Sequence, residues 1–433
     1  MGEYKKNKTD VKGSRNIVYP AQLDTQYFGN LRVHCTSENF MPIEGATVQV
    51  SSTATPGTVL GEFQTNNLGF TDEIILPAPA MEYSYEPGST AQPYSDYTLT
   101  INAENFVPVT VSNIEVLPEV TAVQDASLRV QSELSEPELY VIPPHTLYGD
   151  YPPKIAEAEI KPTTETGEIV LQQVVIPEFV VVHDGPPTDT AAKNYYIRFR
   201  DYIKNVASSE IYATWPDPTI YANVLAILSF TLNRVYTEWY RNKGYNFTIT
   251  SSTAFDHKWI NGRNIFDNIG LIVDEIFVNY LSRPNVKQPI LTQYCDGYKV
   301  ECPNWMTQWG SKDLGEQGLS AIEILRHFYG DTMFINSATQ VAGVPVSWPG
   351  SNLTLGSSGP NVRMIQEQLN KIAEAYTAIP KVAVNSQFDQ QTQEAVKKFQ
   401  EVFGMPASGI VDLPTWYKIS AIYVAVSRIA EIG

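Results

Sequence analysis

Apolar and polar positions follow three rhythms in turn along this chain. From Gly29 to about residue 122 they alternate in short β-branched runs: NLRVHC, ATVQVSS, VLGEFQTN, DEIILPAP, DYTLTINA and VPVTVSNIEVLP. Turn residues such as the NNLG at 66–69 separate them, so each run predicts a strand. About seven strands in so short a span predict a small β-sandwich. Residues 123–190 lose the rhythm. Their Pro, Glu and Thr content predicts an extended linker open to proteases, ending in one or two strands within EIVLQQVVIPEFVVVHDG.

Beyond residue 190 the spacing turns helical. Asp217-Pro218 marks a helix start, with an N-cap aspartate followed by proline at the first helical position. Val224, Leu225, Leu228, Leu232 and Val235 continue it toward a stop at Gly244, a helix of about 24 residues. A second helix is predicted at about 265–280, and a third from Asp313 through LSAIEILRHFYG. After a turn-rich connector, the C-terminal part carries apolar faces at Val362, Ile365, Leu369 and Ile372, and at Ala395, Val396, Phe399 and Phe403. With LPTWYKISAIYVAVSRIAEI these predict a three-helix bundle. The fold expected is multidomain: a polar tail (1–27), an N-terminal β-sandwich (28–122), a linker with the activation cleavage region (123–190), an α+β catalytic domain (191–335), a connector (336–352) and a C-terminal bundle (353–433).

Charge sharpens this division. The net charge of −17 lies entirely in residues 1–189, which hold 9 basic and 26 acidic residues; residues 190–352 hold 14 of each and residues 353–433 hold 7 of each. An acidic chain disfavours nucleic acid as a partner. The start, MGEYKKNKTDVKGSRN, has no apolar core of a secretory signal, and the longest apolar run, Ile220 to Leu232, is too short for a membrane span. A chain made in the cytoplasm without a secretory signal is the expectation. Three cysteines (Cys35, Cys295 and Cys302) make no disulfide framework; Cys295 and Cys302 could pair or share a metal, but structural thiols are the simpler reading. The histidines form no HExxH-type cluster, so neither a metal nor another cofactor is expected.

Two stretches carry specific resemblances. LGSSGPNVRMIQEQLN and FDQQTQEAVKKFQEVFGMPASGIVDLPTW resemble the peptidoglycan-binding domain of cell-wall hydrolases. Leu353, Gly356, Gly359, Val362, Gln366 and Leu369 stand in its first motif, and Thr392, Ala395, Val396, Phe399, Gln400, Gly409, Asp412 and Trp416 in its second. The resemblance implies wall-binding roles for Gln366, Gln400 and Trp416. NWMTQWGSKDLGEQGLSAIEILRHFYGDT resembles the stage II sporulation protein D family through Met306, Gln308, Trp309, Gly310, Gly318, Ile324, Leu325, Tyr329 and Gly330. In that register VASSEIYATWPDP places Glu210 on the family's essential glutamate, whereas Phe230 stands for its arginine and Cys302 for its histidine. The N-terminal run PIEGATVQV with TNNLGFT resembles transthyretin-like modules, which are usually non-catalytic.

The order of these parts is similar to that of the clostridial spore cortex-lytic enzymes. It implies a zymogen located in the cortex or coat region of the spore, opened by a germination protease, that cleaves cortex glycan strands as a lytic transglycosylase. Glu210 would be the acid–base residue, with Asp256, Gln308 and Trp309 as candidate substrate contacts. Tyr212 and Trp215 would supply the dry setting that raises its pKa. Locally, Ser208 and Ser209 read as helix caps, with Glu210 in the first turn where the macrodipole favours a carboxylate. Asp274 and Glu275 read as helix-surface or salt-bridge residues. An amidase, which would need a zinc site the sequence does not display, and a non-catalytic wall-binding protein are the alternatives. Removing residues 1–150 would take away 7 basic and 19 acidic residues and move the net charge from −17 to −5, so the acidic region could also weaken early binding to an anionic wall.

Overall fold

Each alternating run of the N-terminal region forms a strand, because one face of every run is apolar and meets the same core. This computed structural model describes residues 27–147, 149, 151–161, 173–344, 346 and 348–427. The predicted tail, apart from Tyr27, lies outside the described residues. So do 168–172 of the run EIVLQQVVIPEFVVVHDG and the last six residues.

The N-terminal strands are β1 (Tyr27–Ser37), β2 (Thr47–Ser52), β3 (Val59–Gln64), β4 (Ile74–Ala78), β5 (Ser95–Asn102), β6 (Val109–Val116), β7 (Thr121–Leu128) and β8 (Glu138–Val141). One sheet runs β3-β2-β5-β6-β8. Leu31, Val33, Leu76, Val48, Leu99, Ile101 and Val111 from the two sheets share one core. Two strands, β7 and β8, fall in the expected linker: β7 pairs in parallel with β1 over eight residues, and β8 pairs in parallel with β6.

The middle region follows with β9 (Val175–Ile176), β10 (Phe179–His183), β11 (Asn194–Arg198), α1 (Phe199–Glu210), α2 (Asp217–Tyr236), β12 (Ile249–Thr250), β13 (Ile265–Phe266), α3 (Asp267–Ile276), β14 (Asn279–Ser282), β15 (Tyr294–Cys295), β16 (Met306–Thr307), α4 (Gln308–Glu316), α5 (Ala321–Tyr329), β17 (Phe334–Ser337) and β18 (Gln340–Val341). The second N-terminal sheet, β13-β7-β1-β4, takes its edge strand β13 from this region. α2 stops at Tyr236, short of the predicted Gly244, because Glu238 adopts a left-handed φ of 45°. Gly244 instead closes a separate short 3-10 turn. The helix predicted at 265–280 is shortened at both ends by β13 and β14. The third predicted helix is two: Gly318 at φ 86° breaks it, and Ser320 with Glu323 forms a capping box that starts α5.

The C-terminal part contains α6 (Pro360–Ala375), α7 (Gln390–Val402) and α8 (Leu413–Ser427). Val362, Ile365, Leu369, Ala395, Val396 and Phe399 are wholly buried, as their helical spacing predicts. α8 also packs on α3, where Phe277 and Tyr417 meet edge to face at 5.1 Å. Asp274 is not on a surface: it is buried and pairs with Arg200 at 3.2 Å and Lys204 at 2.7 Å. Glu275 accepts a hydrogen bond from Tyr221. Cys295 and Cys302 form a disulfide, not free thiols, and Cys35 is free and buried. No helix among the described residues is long and apolar enough to cross a membrane.

Candidate active site

Glu210 is the last residue of α1, not a first-turn residue, and Ser208 and Ser209 lie inside the helix. The difference reverses its electrostatics. At a helix C-terminus the macrodipole opposes a carboxylate, and an exposed position would be needed to relieve it. Glu210 has no exposure at all. Burial pushes its carboxyl up to about 7, against the opposing pull of the Lys154 ammonium and of two hydrogen bonds. Those bonds come from the Lys258 backbone N–H, 2.6 Å from Oε1, and from the Tyr294 hydroxyl to Oε2. A carboxyl so held can carry a proton near neutral pH and give it up.

The MTQWGS motif supports the acid from behind. Gln308 is buried and donates from Nε2 to the Glu210 carbonyl at 2.8 Å, satisfying a helix-end acceptor that would otherwise be unpaired. Trp309 packs at 5.2 Å on Trp215, which in turn meets Tyr212 edge to face at 5.7 Å. Trp215 also donates from Nε1 to the Ser84 carbonyl at 2.8 Å. In this chain Gln308 therefore holds the end of the helix that carries the acid, and Trp309 packs on the rings that follow it. The ring that reaches the carboxylate is Tyr294, 84 residues away in sequence.

Asp256 is fully buried and pairs at 2.7 Å with Arg234 Nε. Its second oxygen accepts from Tyr240 (2.6 Å), Thr250 N (2.9 Å) and Thr250 Oγ1 (2.7 Å). All of its acceptor capacity is spent on the protein. Its neighbour His257 is buried, lies 3.0 Å from the Tyr202 hydroxyl, and is held neutral by burial and nearby cations, far below the usual histidine range.

The expected linker supplies what sequence reasoning missed. Lys154 is buried, donates to the Asp256 carbonyl, and lies over the rings of Phe230 (4.4 Å) and Tyr294 (4.9 Å). Burial pushes its ammonium down to about 8, with the Glu210 charge working the other way. Lys258 Nζ donates to the Pro144 carbonyl at 2.9 Å and lies 4.1 Å from the Tyr151 ring. No periodicity announces these contacts, because they run through backbone atoms and charges instead of an apolar face.

A second buried cluster ties the N-terminal strands to this site. Arg263 holds both oxygens of Glu115, at 2.9 and 2.6 Å, and donates from Nε to the Ser208 carbonyl at 2.8 Å. His145 stands 3.0 Å from Glu115. Burial lowers His145 to about 4, while Glu115, despite its burial, is brought down to about 2 by Arg263 and His145. Both groups take up protons on unfolding before they do so in the fold. Stability from His145 is therefore lost as pH falls from 6.5 toward 4, and that from Glu115 as pH falls from 4.5 toward 2. Between pH 7 and pH 4.5 the His145 contribution amounts to up to about 3 kcal/mol, and it runs against that of Glu210, whose raised carboxyl gains stability over the same window. In His145→Gln only the Glu210 contribution remains, so the urea midpoint should rise more than in the parent as pH falls from 7 to 4.5; an unchanged slope would refute the assignment.

The three wall-binding candidates are internal. Gln366 donates to Asn385 Oδ1 and the Gln387 carbonyl, both at 2.9 Å, and accepts from Asn385 N and Ser386 N. Gln400 does the same for its loop, donating to the Ile410 carbonyl (2.9 Å) and accepting from Gly409 N (2.7 Å). Trp416 is wholly buried, with Nε1 on the Val346 carbonyl at 3.1 Å. These side chains staple the turns between helices, so direct contacts with a glycan fall to other residues.

Comparison with known proteins bears on this last part. No curated protein matches the chain. Among solved structures, the Bacillus anthracis TIE protein is similar over 24% of this chain and 17% of its own, with 18% identity and a TM-score of 0.17. Two dioxygenases are similar over 29% of this chain at 12% identity. These are 3-chlorocatechol 1,2-dioxygenase from Rhodococcus opacus (71% of its chain, TM-score 0.19) and catechol 1,2-dioxygenase from Acinetobacter (61%, 0.20). Scores this low carry no argument about function, and this chain spans under a fifth of the anthrax protein. The family comparison is different in kind: residues 358–419 match the family described as "Putative peptidoglycan binding domain", which associates the chain with the cell wall.

Proposed function

We propose that this chain is a lytic transglycosylase of spore cortex peptidoglycan, held inactive by its own N-terminal region until a germination protease removes it. The observation that carries the reading is Glu210: a buried carboxyl brought to about 7 in a chain that also carries a peptidoglycan-binding domain. Ordinary glycosidases need two carboxyl groups, one for the leaving oxygen and one for the attacking water or the sugar carbon. A transglycosylase needs one. Its attacking group is the C6 hydroxyl of the muramoyl residue being cleaved, already tethered to the reacting carbon. Glu210 protonates the leaving glycosidic oxygen as the C1–O bond breaks. The resulting carboxylate then takes the proton from the C6 hydroxyl as the 1,6-anhydro bond closes, which restores the acid.

The zymogen reading draws on what covers that carboxyl. We read the two N-terminal sheets as a β-sandwich cover, with residues 151–161 lying as a strap over the acid. Lys154 places a cation beside Glu210 and fills the space between Phe230 and Tyr294 where a sugar ring would lie. Glu115, His145 and Pro144 close the other side through Arg263 and Lys258. Mass spectrometry of cortex fragments tests the proposal. The processed chain should release 1,6-anhydromuramoyl ends and the intact chain should release none. Free stem peptides would indicate an amidase instead, and an absence of products a wall-binding protein.

A further inference from the structure

The middle region offers arginine forks to glutamates of the acidic N-terminal region. Besides Arg263 on Glu115, Arg234 holds Glu157 at 3.0 and 2.6 Å, and Arg283 holds Glu159 at 2.7 Å through each of two nitrogens. The last two lie two residues apart on the strap, where burial alternates: 157, 159 and 161 turn inward while 158 and 160 are exposed. The backbone follows the same alternation. Ile155 N donates to the Ala254 carbonyl (2.7 Å), Glu157 N to Gln293 (2.8 Å) and Lys161 N to Gln288 (2.7 Å), while the Glu159 carbonyl accepts from Leu291 N (2.8 Å). This is recognition of an extended chain whose glutamates sit in arginine forks, with main-chain bonds for affinity and side-chain sites at every second residue; Lys161 of the strap also bonds to Glu157.

Arg234 does not depend on Glu157 for its aim. Asp256 holds its Nε and the Phe255 carbonyl accepts from NH2 at 3.1 Å, so the fork stays in place when the strap leaves. Such a fork is shaped for a carboxylate, and a neighbouring second fork for another. We propose that this groove is the binding site for an extended acidic peptide, the stem peptide of the wall polymer, and that Glu157 and Glu159 occupy the places of two of its carboxylates. The proposal rests on the reading above that the N-terminal region is removed. The lactyl carboxylate of a bare muramoyl residue would fill one fork only.

A competition experiment on the whole molecule tests it. A specific-protease site is inserted between Thr164 and Glu165, the folded chain is cut, and dissociation of fragment 1–164 from the otherwise intact nicked chain is followed. The tripeptide L-Ala-γ-D-Glu-meso-diaminopimelate should weaken fragment binding several-fold at millimolar concentration. Its carboxamide form and N-acetylmuramic acid should not. Glu157→Gln should weaken the fragment about tenfold or more, and Arg234→Lys should remove the tripeptide's effect. Equal competition by the acid and the amide, or by N-acetylmuramic acid and the tripeptide, would overturn the proposal, as would no competition at all. Glu157→Gln leaves the middle region intact and keeps the test valid if Arg234→Lys fails to fold. Since the readout is binding, a processed chain that cleaves no glycan while the tripeptide still competes would sink the transglycosylase reading alone.

Discussion

Replacing Glu210 by glutamine is expected to lower glycan cleavage by the processed chain about a thousandfold or more, since the one proton donor and acceptor is gone. The fold should survive. A glutamine oxygen can still accept from Lys258 N, and Tyr294 can still bond to the side-chain amide, so neither partner of the buried carboxyl loses its bond. The stability readout has a definite sign. A carboxyl raised from 4.5 to about 7 contributes stability that is present below 4.5 and lost as pH rises through 7. Glutamine never ionises, so Glu210→Gln should match the parent near pH 4.5 and exceed it at pH 8, by up to about 3 kcal/mol. Loss of activity with unchanged or greater stability is the signature of an acid kept for chemistry. A variant that cleaves at the parental rate would end the assignment.

Asp256→Ala is expected to do the opposite: to cost about 3–5 kcal/mol of stability, because Arg234 would remain buried with its Nε unpaired. Both side chains have no exposure, and Tyr240 and both Thr250 donors would lose their shared acceptor as well. A midpoint lower by roughly 10 °C in thermal unfolding of the full chain is the expected reading. A midpoint within a degree or two of the parent would show that Arg234 finds another partner. The two carboxylates lie close together through Lys154, which bonds to the Asp256 carbonyl and pulls on the Glu210 charge. Their variants should nonetheless separate cleanly, one in activity and one in stability.

Much of the framework is legible in the order of residues. Alternation locates β1 to β6 because each strand buries one face, and helical spacing locates α6 and α7 for the same reason. Asp217-Pro218 locates the start of α2 to within one residue: Asp217 is not the cap but the first helical residue, and Pro218 follows at a position that still needs no N–H. Gln308, Trp309 and Glu210 could be singled out from the sequence. What each does could not. Gln308 meets the Glu210 carbonyl across 98 residues, and Trp309 meets Trp215 across two helices and several strands.

The sequence by itself determined the local elements and the distribution of charge, since both depend only on nearby residues or on simple counts. Tertiary structure alone decided which end of a helix Glu210 occupies, and therefore whether the macrodipole supports or opposes its charge. It also decided that residues 151–161 are a strap and not a loose linker. A segment held by backbone bonds, by Lys154 and by glutamates set into arginine forks buries no apolar stripe of its own. Without such a stripe, its composition is the same as that of a linker until the partners on the other side are in place.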